Sequence, residues 1–224
     1  DGTKEFLLAL KRKRPENISL FFSPVNRGVS WGYNSLLERI PQDQDMVLMN
    51  NDISVADPHW ICMLRACAYD DKETAMVGAK LVYPAPFGVI QTAGTFIWPA
   101  LQRVPVSIGM GEPCWSHSEC RFVAQTSFPC LFVKGEVIPE FRFDPRFVTP
   151  FWEDTDLAMK FTLKMGRKSR HCGKVVAYHY QSASTKQESV RSRATAFLDS
   201  NGRRFMQKWG ALLTDETCAR INQP

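Results

Sequence analysis

No run of apolar residues in this chain approaches the ~20 needed to cross a membrane as a helix, and no segment reads as a signal peptide. Seven cysteines, at positions 62, 67, 114, 120, 130, 172 and 218, form no CxxC pair, so the short ligand spacing of a zinc site is missing. An odd number of cysteines without secretory context argues for reduced, buried thiols and a cytoplasmic location. No zinc-finger, RRM or helix-turn-helix signature accompanies the basic runs Lys11-Arg12-Lys13-Arg14 and Arg167-Lys168. They read as solvated helix ends, and nucleic acid is not an expected partner. Internal repeats and low-complexity tracts are also missing, which excludes solenoid architectures.

What remains is an ordinary globular composition. With 224 residues, 44% hydrophobic and 23% charged, the chain can bury a sizeable core. Its net charge of +5 suits an anionic substrate, and is compatible with peripheral association at the inner face of the plasma membrane.

Along the chain, helical and strand patterns alternate. Thr3 to Arg14 reads as a helix ended by Pro15, Ile18 to Ser23 as a strand, and Val29 to Ile40 as a helix. Asp45 to Met49 is a short apolar strand. Asp57-Pro58 marks a helix start, a capping residue followed by proline, and that helix should run to about Tyr69. Met76 to Tyr83 is the next strand. Such alternation predicts an α/β domain with a mixed, mainly parallel sheet flanked by helices. Pro84 to Arg121 breaks the pattern and reads as an irregular insertion or small β-hairpin region. Strands at Phe122–Thr126 and Cys130–Lys134 follow, then a helix from Glu153 to Met165 and a late strand from Val175 to Tyr180. Val190, Ala194, Phe197, Phe205, Trp209 and Leu212 mark an amphipathic C-terminal helix, broken near Asn201-Gly202. The expected organisation is a catalytic domain over 1–185 and a C-terminal helical segment over 186–224.

Three clusters carry chemistry. Asn50-Asn51-Asp52 follows a strand, where α/β sheets place their ligands, so Asp52 is set to hold a divalent cation against a diphosphate. The bland alternative is an Asn/Asp turn. His179 ends the late strand, and an imidazole beside a carboxylate suits Mn or a similar ion, although a lone histidine there is more often structural. Phe151-Trp152-Glu153-Asp154-Thr155-Asp156-Leu157 packs three carboxylates behind two aromatic rings. Acids in a first helical turn are favoured by the helix dipole alone. The adjoining rings suggest more: a sugar site in which Asp154 deprotonates an acceptor hydroxyl, Glu153 binds acceptor hydroxyls and Trp152 packs against a sugar. Asp156 is expected to cap or charge the helix start.

In their order, Asn26-Arg27-Gly28, Asn34, Asn50-Asn51-Asp52, Trp152-Glu153-Asp154-Thr155-Asp156-Leu157 and His179 with Ser182 and Ser184 closely resemble glycosyltransferase family 2. The likeness runs from Asp1 to the Lys208-Trp209-Gly210 tail, and the rhamnosyltransferase-like and galactofuranosyltransferase-like members look most similar. It implies a GT-A fold and an inverting transfer of a sugar from a nucleotide-diphosphate donor to a saccharide or lipid-linked saccharide acceptor. It also implies Mn or Mg as cofactor, held by Asp52 and His179. Asp154 matches the base, with Glu153 beside it. Asn26, Arg27 and Asn34 match the segment lining the nucleotide pocket, and Asn51 is expected with them among the substrate- or nucleotide-binding residues.

Two departures from the family stand out. Ser127-Phe128-Pro129-Cys130 replaces a glycine-rich stretch, and the family's first strand has no counterpart in these residues. An N-terminally truncated GT-A sheet with weak nucleotide binding is therefore expected of this polypeptide alone. A sugar-nucleotide nucleotidyltransferase is one alternative, disfavoured by the Trp152-Glu153-Asp154 run with His179. A non-catalytic carbohydrate-binding domain is another, disfavoured by the presence of Asp52, Asp154 and His179 together.

Overall fold

In a computed structural model, residues 2–98, 104–148, 151–180 and 200–223 are described. Two strands organise the fold. Thr74–Val82 (β3) is buried at every position, as expected of an unbroken Thr-Ala-Met-Val-Gly-Ala-Lys-Leu-Val run covered on both faces. It pairs in parallel with Lys168–His179 (β9). Ile53–Val55 (β2), Ile90–Thr92 (β4), Cys120–Val123 (β7) and Cys130–Val133 (β8) add antiparallel neighbours. β4 and β8 share one edge of β3, while β7 and β2 share the far edge of β9. Met46–Met49 (β1) closes the sheet against β8. Thr95–Trp98 (β5) and Val104–Ser107 (β6) make a separate two-stranded ribbon, the hairpin expected within the irregular insertion.

The sheet is mixed, as the sequence pattern predicted. Its parallel content, however, is confined to the β3–β9 pair. β1 and β8, β8 and β3, β4 and β3, β7 and β9, and β2 and β9 all pair antiparallel, the chain reversing direction at the Asn51-Asp52 turn between β1 and β2. Residues 18–23 are not a strand, because no ladder hydrogen bond reaches them among the described residues, and Phe21 and Phe22 stay exposed. β9 begins seven residues before the expected strand, since the polar stretch Lys168–Lys174 is carried between β3 and β7.

Helices Val29–Leu37 (α2) and Trp60–Tyr69 (α3) follow Thr3–Lys13 (α1), which buries no residue. Glu153–Met159 (α4) continues into a π-helical stretch, Lys160–Lys164. A helix described over residues 200–209 (α5) runs through Asn201-Gly202 without a break and ends at Gly210, followed by Asp215–Ile221 (α6), whose start is capped by Thr214. Val190, Ala194 and Phe197 lie outside the described residues. Phe205, Trp209, Leu213 and Cys218 pack with Phe147, Ala158 and Met159 into one apolar cluster, which holds α5 and α6 against α4.

Polar bonds fix that packing. Asp156 is 2% exposed; its Oδ1 accepts from the Trp209 indole at 2.7 Å, and Lys208 Nζ lies 2.8 Å from the carboxylate. Asp156 thus joins two helices rather than capping one. Trp209→Phe removes the indole donor from the buried Asp156 carboxylate, leaving it Lys208, and substitutes a smaller ring, which together cost about 1–3 kcal/mol. Thermal unfolding should show a drop of several degrees with no change in far-UV circular dichroism; an unchanged midpoint would overturn this role.

Candidate active site

The β2–β9 register decides what Asp52 meets. Ile53 is paired with His179, and Tyr180 N donates to the Asp52 carbonyl at 3.0 Å, so the acid just before β2 lies beside the histidine that ends β9. Asp52 Oδ1 is 3.3 Å from His179 Nε2. On the other side of the ring, His179 Nδ1 lies 2.7 Å from Gln91 Oε1, an oxygen that can only accept. With Nδ1 donating to that oxygen, Nε2 turns its lone pair toward Asp52. Burial holds His179 below the ordinary imidazole range against the opposing pull of Asp52, so the ring is neutral.

Two lone pairs now face each other, and Asp52 Oδ1 is buried with no hydrogen-bond partner. This is an unfavourable contact unless a cation shares it. Neighbouring ligands at about 2.1 Å from one ion stand about 3 Å apart, close to the observed spacing, and a neutral imidazole with a carboxylate suits Mn or Mg-like ions. Asp52 and His179 fit a divalent metal, with Gln91 fixing the tautomer from behind as such partners do. Gln91 gave no signal in the sequence, since it lies in the stretch that read as irregular.

The acidic run takes shape from unusual backbone. Phe151 and Trp152 both adopt positive φ, 83° and 76°, a region costly for bulky side chains. α5 holds them there: Asn201 Nδ2 donates to the Phe151 carbonyl at 3.0 Å, and the Trp152 ring packs 4.9 Å from Phe205 and against Gly202. The tryptophan expected to line a sugar site is therefore spent on α5, and Phe151, 43% exposed, is the ring that faces solvent.

This kink brings Glu153 and Asp154 together. Asp154 Oδ1 accepts from Thr155 N at 2.8 Å, while Thr155 Oγ1 donates to Gln125 Oε1 at 2.7 Å. Burial raises Asp154 above the usual carboxylate range, opposed by those bonds from Thr155 and Gln125. Glu153 is pushed up to about 8, first by burial and then by the Asp154 charge, and its Oε2 has no partner. Burial thus pushes both carboxyls of this pair toward the protonated form, and around neutral pH Glu153 holds a proton.

α2 connects the metal pair to the acid pair. Its Tyr33 hydroxyl donates to Asn50 Oδ1 at 2.7 Å, and burial with the charges of Glu153, Asp154 and Asp52 raises that phenol to about 12. Both acid groups thus bear on one hydroxyl. Asn34, expected in a nucleotide pocket, binds backbone: its Nδ2 donates to the Phe143 carbonyl at 2.8 Å and its Oδ1 accepts from Phe143 N at 2.9 Å. Asn26 closes a turn by accepting from Gly28 N at 2.9 Å. Gly28 has φ 89°, and a Cβ there would come 1.7 Å from the Val148 carbonyl oxygen, so only glycine fits. Arg27 is exposed with its guanidinium 5.0 Å from the Trp31 ring, and Asn51 is exposed in the turn. Asn26 and Asn34 therefore position α2; Asn51 and Arg27 remain open to solvent.

The Glu153 shift has a sign that can be checked. An unfolded glutamate releases its proton near 4.5 and the folded one near 8, so the native state binds more protons in between and loses stability as pH rises through that window. Glu153→Gln removes the loss. The melting temperature of the variant relative to the parent should rise from pH 5 to pH 8; a constant difference would contradict a buried, proton-holding Glu153.

No family model matches the chain. It is 26% identical over 156 residues to the O-antigen biosynthesis protein RfbC of Myxococcus xanthus, an alignment covering 65% of this chain and 12% of that protein. Its fold matches the crystal structure of GalNAc-T7 with UDP, GalNAc and Mn2+, with TM-score 0.61 and 13% identity, over 80% of this chain and 35% of that one. The chain thus spans well under half the length of either relative. Read with the strand order described above, the structural likeness establishes the architecture: this is a GT-A glycosyltransferase fold.

Proposed function

We propose that the chain carries the transfer site of a metal-dependent, inverting glycosyltransferase of the family 2 kind, using a nucleotide-diphosphate sugar and a saccharide or lipid-linked saccharide acceptor. The observation that carries this reading is the facing pair of Asp52 Oδ1 and His179 Nε2, with Asp52, Glu153 and Asp154 all close enough for their charges to act on the Tyr33 hydroxyl. A relative named for O-antigen biosynthesis and a fold neighbour crystallised with UDP, GalNAc and Mn2+ support the same class of donor, metal and product.

The residues divide the work. Asp52 and His179 hold the cation, and Gln91 keeps Nε2 aimed at it. A divalent ion bound there supplies positive charge to the departing diphosphate. Asp154, steadied by Thr155, takes in its carboxylate form the proton of the acceptor hydroxyl as that oxygen attacks the anomeric carbon from the face opposite the leaving group, so the configuration inverts. Glu153, protonated beside it, offers a donor to an acceptor oxygen and spares Asp154 a second neighbouring charge. Phe151 presents a ring on which a sugar face can rest.

Two measurements test this. In the complete polypeptide that carries these residues, Asp154→Asn should lower kcat by about 100- to 10,000-fold while donor binding persists; undiminished transfer of radiolabelled sugar would remove Asp154 as base. Gln91→Leu frees the His179 tautomer and should weaken Mn2+ binding about 10- to 100-fold by calorimetry. Unchanged affinity would mean that Asp52 and His179 do not hold the metal.

A further inference from the structure

Away from the transfer site, three elements distant in sequence bring thiols to one point. Cys67 lies on the buried side of α3, Cys120 on β7 and Cys172 on β9. Their sulfurs all lie within 4.8 Å of one another. Cys120 and Cys172 are directly opposed across the antiparallel β7–β9 ladder. The adjacent pair, Glu119 and Gly173, carries a backbone hydrogen bond of 3.0 Å, so the cysteines occupy the alternate position, where opposed side chains approach most closely. Their sulfurs are 3.4 Å apart. Cys172 is wholly buried, Cys67 is 6% exposed and Cys120 is half-buried, which leaves one open side.

Negative charge is favoured at Cys120: hydrogen bonds from Cys172 and Cys67, aided by the charges of Lys174 and Arg170, hold its sulfur far below the ordinary thiol range, whereas the hydrogen bonds to Cys120, together with burial, push the Cys67 and Cys172 thiols up. Arg170 Nη1 donates to the Cys67 carbonyl at 2.8 Å and to Asp70 at 3.0 Å, which fixes a cation beside the cluster. Tetrahedral zinc, with bonds of about 2.3 Å to sulfur, sets its thiolates about 3.8 Å apart. The Cys120–Cys172 spacing of 3.4 Å, with all three sulfurs within 4.8 Å, is compatible with that value.

We propose that Cys67, Cys120 and Cys172 form a trithiolate site for a soft divalent cation of the zinc class, which ties α3 to the β7–β9 ribbon. Binding exchanges sulfur–hydrogen bonds for three sulfur–metal bonds and releases the remaining thiol protons to solvent. Water on the open side of Cys120 completes the shell, and Arg170 with Lys174 faces the net negative charge. The site is about seven residues along β9 from His179, on the order of 20 Å, and so is separate from the oxygen-and-imidazole pair of the transfer site. A Cys120–Cys172 disulfide would use only two of the three sulfurs and needs an oxidant; it is the competing outcome of the test.

The chain is purified under reducing conditions without chelator and titrated with Co2+ alone. One equivalent should produce the intense visible bands of tetrahedral cobalt thiolate, with release of protons, and zinc should bleach them. Bands should vanish in Cys67→Ala and Cys120→Ser and persist in Cys62→Ser and in His179→Ala. Bound zinc should also protect Cys120 from alkylation in the unaltered chain, a readout that needs no variant. Absence of bands with three freely alkylated thiols, or a chain two mass units lighter that binds metal only after reduction, would overturn the proposal.

Discussion

Asn34 and the backbone of Phe143 exchange two hydrogen bonds, and the arrangement of the whole site depends on that exchange. It pins α2 to the segment leading into Phe151 and Trp152. Ser30 adds a bond to the Phe147 carbonyl at 2.7 Å, and Tyr33 stacks on Phe143 at 5.0 Å. With α2 held there, the Tyr33 hydroxyl can reach Asn50 at the end of β1. One short helix thereby sets the distance between the strand-end acid Asp52 and the acids of α4. An asparagine whose donor and acceptor are both satisfied by buried backbone is a positioning device, because losing either bond leaves a peptide group unpaired.

The site concentrates unfavourable electrostatics. Asp52 faces a neutral histidine lone pair, Glu153 and Asp154 are buried side by side, and two aromatic residues are held at positive φ. Such costs persist only where the surrounding packing over-determines them. Here α5 does so, through Asn201 on the Phe151 carbonyl, Phe205 on Trp152, and Trp209 with Lys208 on Asp156. The C-terminal segment thus belongs energetically to the site it braces. Burial of the two carboxyls side by side raises both above the usual carboxylate range.

Legibility in the sequence followed the range of the interactions involved. β1, α2, α3, β3, β8 and the start of α4 were readable because periodicity and apolar runs are local properties of the chain, although α3 begins at Trp60 and leaves the expected Asp57-Pro58 start in the preceding turn. Asp52, His179, Glu153 and Asp154 stood out as acids and an imidazole at element ends, and the structure brings the first two together. The strand expected at residues 18–23 failed because a strand exists only with a partner, which hydropathy does not report. The early half of β9 escaped notice because polar residues there are carried by neighbours on both edges.

Residue type and order by themselves determined the alternating α/β character, the chemistry available at the strand ends and the acidic opening of α4, since each is encoded within a few neighbouring residues. The tertiary structure alone decided that Gln91 sets the His179 tautomer, that Trp152 packs on α5 while Phe151 is exposed, and that Asn34 binds backbone instead of ligand. It alone gathered Cys67, Cys120 and Cys172. These are contacts between elements far apart in the chain, and their geometry arises from strand register and helix packing, which no local pattern specifies.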